Sequence, residues 1–264
     1  MKSISFQEYR AIPAINASVL KWFVDDSHER YQQHLIDEEE EDHSKRGDPL
    51  RFGCMAHESL LEPDLFKTRT VLPEDLNLRT KQGRADLAEC TALNKMGFMF
   101  HEEYETITGM MKAIHSGDLM DVTEIVDSID SGVLKTERTY VSNDGGRKGR
   151  FDAVGRGMIV DYKTCNSCRP DLFIKQAINL HYDLQVAWYA DLYPEFHMFA
   201  FIAQEKNPPY LCSCIRFDHS SRFIAEGRKK YEKALERYYS EERMYNGLAV
   251  DGDSILPGWY GKQK

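Results

Sequence analysis

Two aspartates and a lysine lie close together in one stretch of the chain, and their side chains could support metal-assisted hydrolysis. Residues 151–163 favour two short strands joined by a turn at 155–157. Alternate side chains of a strand share a face, so Asp161 and Lys163 should point the same way. The hairpin should also bring Asp152 near Asp161. We therefore expect two carboxylates and one ammonium at the end of a largely apolar sheet.

This cluster has two interpretations. A lysine flanked by two aspartates could be a surface ion pair, which contributes little to the stability of the fold. The apolar run 158–160 favours a second interpretation, because an acid directly after a buried strand must be solvated, paired or bound to a metal. Two carboxylates repel unless a cation lies between them, and oxygen ligands suit Mg²⁺. Lys163 could then orient the attacking water or stabilise charge developing on a phosphate.

These motifs resemble those of a known nuclease superfamily. Asp152 followed by Asp161-Tyr162-Lys163 resembles the PD-(D/E)xK signature, although Phe151 stands where the signature has proline. Gln185 and Tyr189 resemble the Q-x-x-x-Y motif of its exonuclease branch. The similarity is patchy but runs from about residue 5 to beyond residue 200. Three further segments are similar to RecE-type (exonuclease VIII) 5′→3′ exonucleases of phage-like recombination systems, namely 9–18, 52–63 and 77–80.

The resemblance implies roles for individual side chains. The implied catalytic residues are Asp152, Asp161, Lys163, Gln185 and Tyr189. The implied metal ligands are His57, Asp152, Asp161 and the backbone carbonyl of Tyr162, holding Mg²⁺ with Mn²⁺ able to substitute. Without the resemblance, His57 would be a packing or surface histidine on a helix over 50–61, where Gly53 would allow close approach of another element.

Three further sets of residues carry predictions. Gln185 and Tyr189 are four apart on a predicted helix, so they share a face; this face could turn to the site or could simply be half-buried. Glu137 on the preceding strand is a further acid that could lie just outside the set of metal ligands. Basic residues predicted to contact DNA are Arg79, Lys81, Arg84, Lys148 and Arg150, although the first three could equally be a solvated helix start.

The bulk composition limits partners and location. A net charge of −9 looks unfavourable for a DNA-binding protein, but six of the acids form the block at 37–42, and local basic patches govern phosphate contact. The pairs Cys165/Cys168 and Cys212/Cys214 could be metal ligands, but reduced thiols are expected rather than zinc or an iron–sulfur cluster. No apolar run approaches a membrane span and no apolar signal core opens the chain, so we expect a cytoplasmic protein of a bacterium or a phage-infected host cell.

The predicted fold class is α/β (α+β), with a PD-(D/E)xK restriction-endonuclease-like core: a central mixed β-sheet flanked by helices. We expect one nuclease domain over 1–264. It would comprise a mainly helical part at about 1–130 carrying His57, a catalytic core at about 131–250 and a C-terminal tail at 251–264.

The predicted function is Mg²⁺-dependent exodeoxyribonuclease activity that degrades linear double-stranded DNA 5′→3′. It would leave 3′ single-stranded tails for recombination by strand annealing. The resemblance further implies double-stranded DNA ends as substrate, a ring-like homotetramer and a single-strand annealing protein as partner. The alternatives are an endonuclease of restriction or repair type in the same superfamily, and a non-catalytic DNA mimic or annealing-protein scaffold.

Overall fold

The structure is a computed structural model and describes residues 2–25, 28–40, 43–93, 97–116 and 120–240. In chain order its helices are α1 (Phe6–Ala11), α2 (Ala17–Asp25), α3 (His28–Glu40), α4 (Pro49–Leu61), α5 (Pro63–Phe66), α6 (Lys81–Leu93), α7 (His101–Ile114), α8 (Met120–Asp130), α9 (Pro170–Asn179), α10 (Tyr182–Leu192) and α11 (Arg222–Ser240). Its strands are β1 (Thr70–Val71), β2 (Phe98–Met99), β3 (Lys135–Val141), β4 (Lys148–Gly155), β5 (Met158–Cys165), β6 (Met198–Glu205) and β7 (Cys212–Asp218).

The main sheet has the strand order β3-β4-β5-β6-β7. Every neighbouring pair is antiparallel except β5 and β6, which run parallel and are joined by a crossover through α9 and α10. In the parallel pair, Asp161 is in register with Phe201 and Lys163 with Ala203. The predicted fold class, a mixed sheet flanked by helices, is confirmed.

Alternate residues of β5 pack into different hydrophobic clusters because the strand is covered on both faces. Ile159 and Cys165 belong to the cluster built with α2, α10 and α11. Val160 and Tyr162 belong to the cluster built with α4, α7 and α8. The sheet therefore carries the chemistry-bearing strand between two helical layers.

The turn between β4 and β5 follows from its sequence. Arg156 and Gly157 both have positive φ, +51° and +77°, which is the backbone of a two-residue type I′ hairpin turn. At Gly157 an added Cβ would lie 2.4 Å from the His197 ring, so glycine is also required for space. This turn fixes the register of the hairpin that carries both aspartates.

Helices α10 and α11 approach each other closely at Gly227. A Cβ at this position would lie 2.0 Å from the Asp183 carbonyl oxygen. Gly53 on α4 behaves differently, because an added Cβ would meet nothing within 4 Å. The prediction that Gly53 permits a close approach is therefore wrong.

Several predicted elements extend beyond the described residues. The acidic block at 37–42 lies only partly within them, and residues 94–96 and 241–264 lie outside, as does the predicted tail at 251–264. The division of the chain into a helical part, a core and a tail stays a prediction. Among the helices of the described ranges, none combines the length and apolar character that crossing a bilayer requires.

Candidate active site

Asp152 on β4 and Asp161 on β5 face each other across the hairpin. They stand one position beyond the paired residues Ala153 and Val160, and opposite residues of an antiparallel pair share a face. Asp161 is only 1% exposed. Burial, followed by the nearby Asp161 carboxylate, raises the pKa of Asp152 to about 7. The predicted convergence of the two carboxylates is observed, and in this environment they repel each other.

Lys163 lies beside this pair, as strand alternation predicts. Its Nζ is 2.5 Å from Oδ2 of Asp161, and its side chain is mostly buried. Burial alone would lower the pKa of Lys163, but the carboxylates of Asp161 and Asp152 outweigh it and raise the pKa above its ordinary value. The ammonium is held at the carboxylates rather than in bulk solvent.

His57 reaches the same group from α4. Its Nδ1 lies 3.3 Å from Oδ2 of Asp152, and its side chain is 27% exposed. Burial, then the positive charge of Lys163, lowers the pKa of His57 to about 4, so the imidazole is neutral near pH 7. The backbone of Tyr162 hydrogen-bonds His57 and also donates its N–H to Asp152 Oδ2 at 2.9 Å. The structure thus places His57 and the Tyr162 backbone in contact with Asp152, while Asp161 faces Asp152 across the hairpin.

Glu137 lies opposite Asp152 on β3, between the paired positions Thr136 and Arg138. Its φ of +51° is the left-handed conformation, which costs free energy for a residue with a Cβ and interrupts regular pairing there. Burial and the Asp152 carboxylate raise the pKa of Glu137 to about 7, and Arg150 forms an ion pair with it. Glu137 therefore adds a third carboxyl group beside the two aspartates.

Gln185 on α10 hydrogen-bonds Asp161 directly. Its Nε2 donates to Asp161 Oδ1 at 2.9 Å, while its Oε1 accepts from Lys21 Nζ at 2.8 Å. Lys21, on α2, is a site residue that the sequence analysis missed. Burial, then the charge of Lys163, lowers the pKa of Lys21 to about 7. Both lysines place their ammonium groups over the Tyr182 ring, at 4.7 and 5.2 Å from its centroid.

Tyr189 lies one turn after Gln185 on α10 but makes different contacts. Its ring packs edge-on against Phe151, with centroids 4.9 Å apart. Burial raises its pKa well above the ordinary value. The absence of a Cβ at Gly149 leaves room for this ring, since a Cβ there would lie 3.1 Å from it. Tyr189 supports the strand that carries Asp152 rather than hydrogen-bonding the carboxylates.

The predicted DNA-contacting residues fall into two groups. Arg79, Lys81 and Arg84 are exposed at the start of α6. Lys148 is only 4% exposed, and its ammonium donates to the carbonyls of Tyr9, Arg10 and Ile12. Arg150 is bound to Glu137 and to the Ile4 carbonyl. A DNA contact by Lys148 is incompatible with this burial, because the charge is already solvated by three carbonyl oxygens.

The six cysteines are free thiols. Burial raises the pKa of Cys165 and of Cys212 to about 12, with neighbouring thiols adding to the shift. In the absence of a metal, both thiols are therefore protonated near neutral pH.

The donor set around Asp161 suits a divalent cation. Among the described residues, no group of three or more His, Cys, Asp or Glu side chains is already arranged to hold a metal ion. Nevertheless Asp161 Oδ2 is buried and, among described residues, accepts no hydrogen bond of good geometry, its contact with Lys163 being an ion pair. Two repelling carboxylates, a neutral imidazole and a backbone carbonyl are oxygen and nitrogen donors that Mg²⁺ or Mn²⁺ accepts.

Comparisons with solved structures identify similar folds. A provisionally named exonuclease from Eubacterium rectale aligns with a TM-score of 0.58 and 13% identity, covering 92% of this chain and 89% of that one. A phage-related exonuclease from Haemophilus somnus aligns with a TM-score of 0.37 and 13% identity over 89% and 97% of the two chains. An alkaline exonuclease from Laribacter hongkongensis gives 0.29 and 15% over 70% and 93%. Of these three, the first is similar enough to show a shared fold.

Comparison with curated proteins finds no match. A family model does match, over residues 16–243, and its description is PDDEXK-like domain of unknown function (DUF3799). The matched range includes His57, both aspartates, Lys163 and Gln185. The chain therefore belongs to this PDDEXK-like family.

Proposed function

We propose that this protein is a divalent-metal-dependent nuclease that hydrolyses phosphodiester bonds of DNA. The observation that carries the proposal is the placement of Asp152 and Asp161 on adjoining strands, with the Lys163 ammonium 2.5 Å from Asp161. A buried pair of repelling acids costs free energy unless it serves to bind a cation. Membership of a PDDEXK-like family supports a nuclease.

Four groups would hold the metal ion: Asp152, Asp161, His57 and the Tyr162 carbonyl. A bound divalent ion lowers the pKa of water and neutralises charge on a phosphate. In the proposed reaction, water adds across the P–O3′ bond: its oxygen bonds to phosphorus, the bond to O3′ breaks and O3′ gains a proton. The products are a 5′-phosphorylated nucleotide and a free 3′-hydroxyl.

The remaining side chains would orient these groups. Lys163 would position or help to deprotonate the attacking water, or stabilise charge on the phosphate oxygens, because its ammonium lies beside the carboxylates. Gln185 would fix the orientation of Asp161 through the hydrogen bond to Oδ1. Tyr189 would act through Phe151 as packing for β4, and Glu137 would place a further carboxyl group beside Asp152 without binding the metal itself.

The finer function is supported by the resemblance described above. It is 5′→3′ digestion of linear double-stranded DNA that leaves 3′ single-stranded tails for recombination by strand annealing. Mg²⁺ would be the cofactor, with Mn²⁺ able to substitute. The assembly would be a ring-like homotetramer that works with a single-strand annealing protein in the cytoplasm.

The experiment follows the release of nucleotides from end-labelled linear duplex with Mg²⁺, Mn²⁺ or a chelator. We expect metal-dependent release from the 5′ end that disappears in Asp161→Asn. Asp171→Asn is the matched control, because Asp171 is an exposed acid paired with Arg169 on the surface. Rapid nicking of a covalently closed circle would instead support an endonuclease, and absence of any metal-dependent cleavage would support a non-catalytic DNA mimic or scaffold.

A further inference from the structure

A cleft of about 790 Å³ lies along α2, the helix that carries Lys21. Its walls come from α1, the segment that leads to α2, the outer side of α2, α3 and the end of α11. This volume falls within the range of pockets that bind small organic ligands. None of the roles assigned above uses the cleft.

The lining of the cleft is aromatic and carries no negative charge. Among the described residues that line it there is no aspartate or glutamate, although the chain contains 43 such residues. Arg10 supplies positive charge, and Asn16 caps the N-terminal end of α2 there by accepting from the Val19 amide at 2.9 Å. The aromatic lining residues are Phe6, Tyr9, Trp22, Tyr31, Tyr238 and Tyr239.

Two rims of the cleft present aromatic rings to solvent. Phe6 is 59% exposed and Tyr239 is 68% exposed. The guanidinium carbons of Arg10 and Arg150 lie 6.0 and 5.9 Å from the centroid of the Phe6 ring. An exposed ring flanked by guanidinium groups offers a base a stacking surface and its phosphates a positive field.

The inner wall already contains a stacked pair of rings. Trp22 and the His34 imidazole lie with centroids 4.2 Å apart and planes 26° from parallel. Phe6 and Tyr9 stack less closely, at 6.2 Å and 27°. Flat rings in this arrangement are suited to planar ligands of comparable size.

The cleft lies close to the aspartates along β4. Lys148 forms part of the cleft and holds its ammonium 4.7 Å from the Tyr9 ring centroid, while Asp152 is four residues further along the same strand. Four residues of extended chain span roughly 13 Å. A nucleic acid strand at the carboxylates could therefore reach the cleft within a few nucleotides, at about 3.4 Å per nucleotide.

We infer that this cleft binds single-stranded DNA, with bases stacked on the exposed aromatic rims and phosphates facing Arg10 and the N-terminal end of α2. The inference rests on the proposed function, because digestion of one strand of a duplex leaves the other strand unpaired. Stacking is tolerant of sequence, since every base has an aromatic face, so the cleft would hold the strand without selecting its sequence.

The test measures the affinity of a short labelled oligothymidine by fluorescence anisotropy, in chelator so that no hydrolysis takes place. Phe6→Ala combined with Tyr239→Ala removes two exposed rings, so folding should be preserved. The matched control is Leu172→Ala, an exposed apolar residue on α9 outside the cleft. Loss of stacked bases should weaken binding by about 10-fold or more. Arg10→Gln should also weaken binding of the oligonucleotide. It should make the dependence of affinity on salt concentration shallower, because one cation is lost.

The outcomes separate this inference from the proposed function. If wild-type protein digests duplex DNA but the double variant and Arg10→Gln keep wild-type affinity for the oligonucleotide, the cleft assignment is wrong and the nuclease assignment stands. An equal loss of affinity for intact duplex would also overturn it, because the cleft would then not be specific for single strands. Unaltered circular dichroism spectra of the variants would show that a loss of affinity for the oligonucleotide does not arise from unfolding.

Discussion

The Lys21 ammonium donates a hydrogen bond to Gln185 Oε1 at 2.8 Å, although the two residues are 164 positions apart in the chain. Because the same Gln185 amide donates to Asp161 Oδ1 at 2.9 Å, α2 is connected to the buried carboxylate through one side chain. A glutamine amide held at both ends has one orientation, with its oxygen toward the lysine and its nitrogen toward the acid. Lys21 is therefore a positioning residue for Asp161.

Replacing Lys21 tests this relationship. Lys21→Met keeps the aliphatic stem and removes the donor, so Gln185 can rotate away from Asp161. We expect kcat on duplex DNA to fall by about 10-fold with little change in KM, since the loss corresponds to about one hydrogen bond. Lys21→Arg, which keeps a donor, should recover part of the rate. A rise in KM at constant kcat would instead identify Lys21 as a contact to DNA, and Lys175→Met on the exposed side of α9 is the control.

Lys163→Met should separate metal binding from hydrolysis. The substitution removes the ammonium that lies 2.5 Å from Asp161 but leaves all the proposed ligands in place. We expect hydrolysis to fall by about 10²-fold or more, because a group that positions water or stabilises developing charge is lost. Mn²⁺ affinity, measured by calorimetry, should be unchanged or tighter because a competing cation is gone. Weaker Mn²⁺ binding in Lys163→Met would contradict the role given to this lysine.

Asp152→Asn should act on metal binding itself. An amide keeps the size of the side chain and its ability to accept from the Tyr162 N–H, but it removes a charged oxygen donor. We expect Mn²⁺ affinity to fall by about 10-fold or more, and hydrolysis to fall with it. The free energy of unfolding without metal should not fall, because repulsion between the two acids is relieved. A metal affinity equal to that of wild type would exclude Asp152 as a ligand.

The two glycines on α11 and α4 form a matched pair for stability. Gly227→Ala places a Cβ 2.0 Å from the Asp183 carbonyl oxygen, so α10 and α11 must separate. We expect the free energy of unfolding to fall by about 3 kcal/mol. Gly53→Ala meets nothing within 4 Å and should raise it by about 0.5–1 kcal/mol through helix propensity. Urea denaturation of both variants measures the difference, and equal stabilities would contradict the close helix packing.

Thiol reactivity provides a pH-dependent test that does not involve the aspartates. Burial raises the pKa of Cys165 and Cys212 to about 12, and alkylation requires the thiolate. At pH 8 only about one thiol in ten thousand would be ionised, so iodoacetamide should modify both slowly and faster as the pH rises. The half-buried Cys90 on α6 is the internal comparison. Mass spectrometry after timed alkylation reports each site, and prompt labelling of Cys165 in folded protein would contradict the burial.

The sequence predicts best what depends on neighbouring residues. The hairpin at 155–157 follows from a local turn preference, and the shared face of Asp161 and Lys163 follows from strand alternation. Contacts between distant residues do not leave such a pattern. Nothing in the spacing of Lys21 connects it with Gln185, because that contact depends on how α2 packs against α10.

Burial of charged residues is also difficult to read from sequence. Lys148 is among the residues predicted to contact DNA, but three backbone carbonyls solvate its ammonium inside the fold. Lysine is usually exposed, so sequence alone does not reveal this burial. The left-handed backbone of Glu137 similarly depends on the surrounding strands rather than on its own residue type. The catalytic and metal-binding roles of the residues around Asp161 stay predictions.

The candidate active site draws on segments far apart in the chain: α2 and α4 supply Lys21 and His57, whereas β4, β5 and α10 supply the acids and the glutamine. During synthesis Lys21 and His57 leave the ribosome well before the acids and the glutamine have been added to the chain. A nascent or truncated chain that lacks α10 would hold the two aspartates without the amide that orients one of them. A site complete with its orienting amide would thus arise only after α10 has been synthesised and folded.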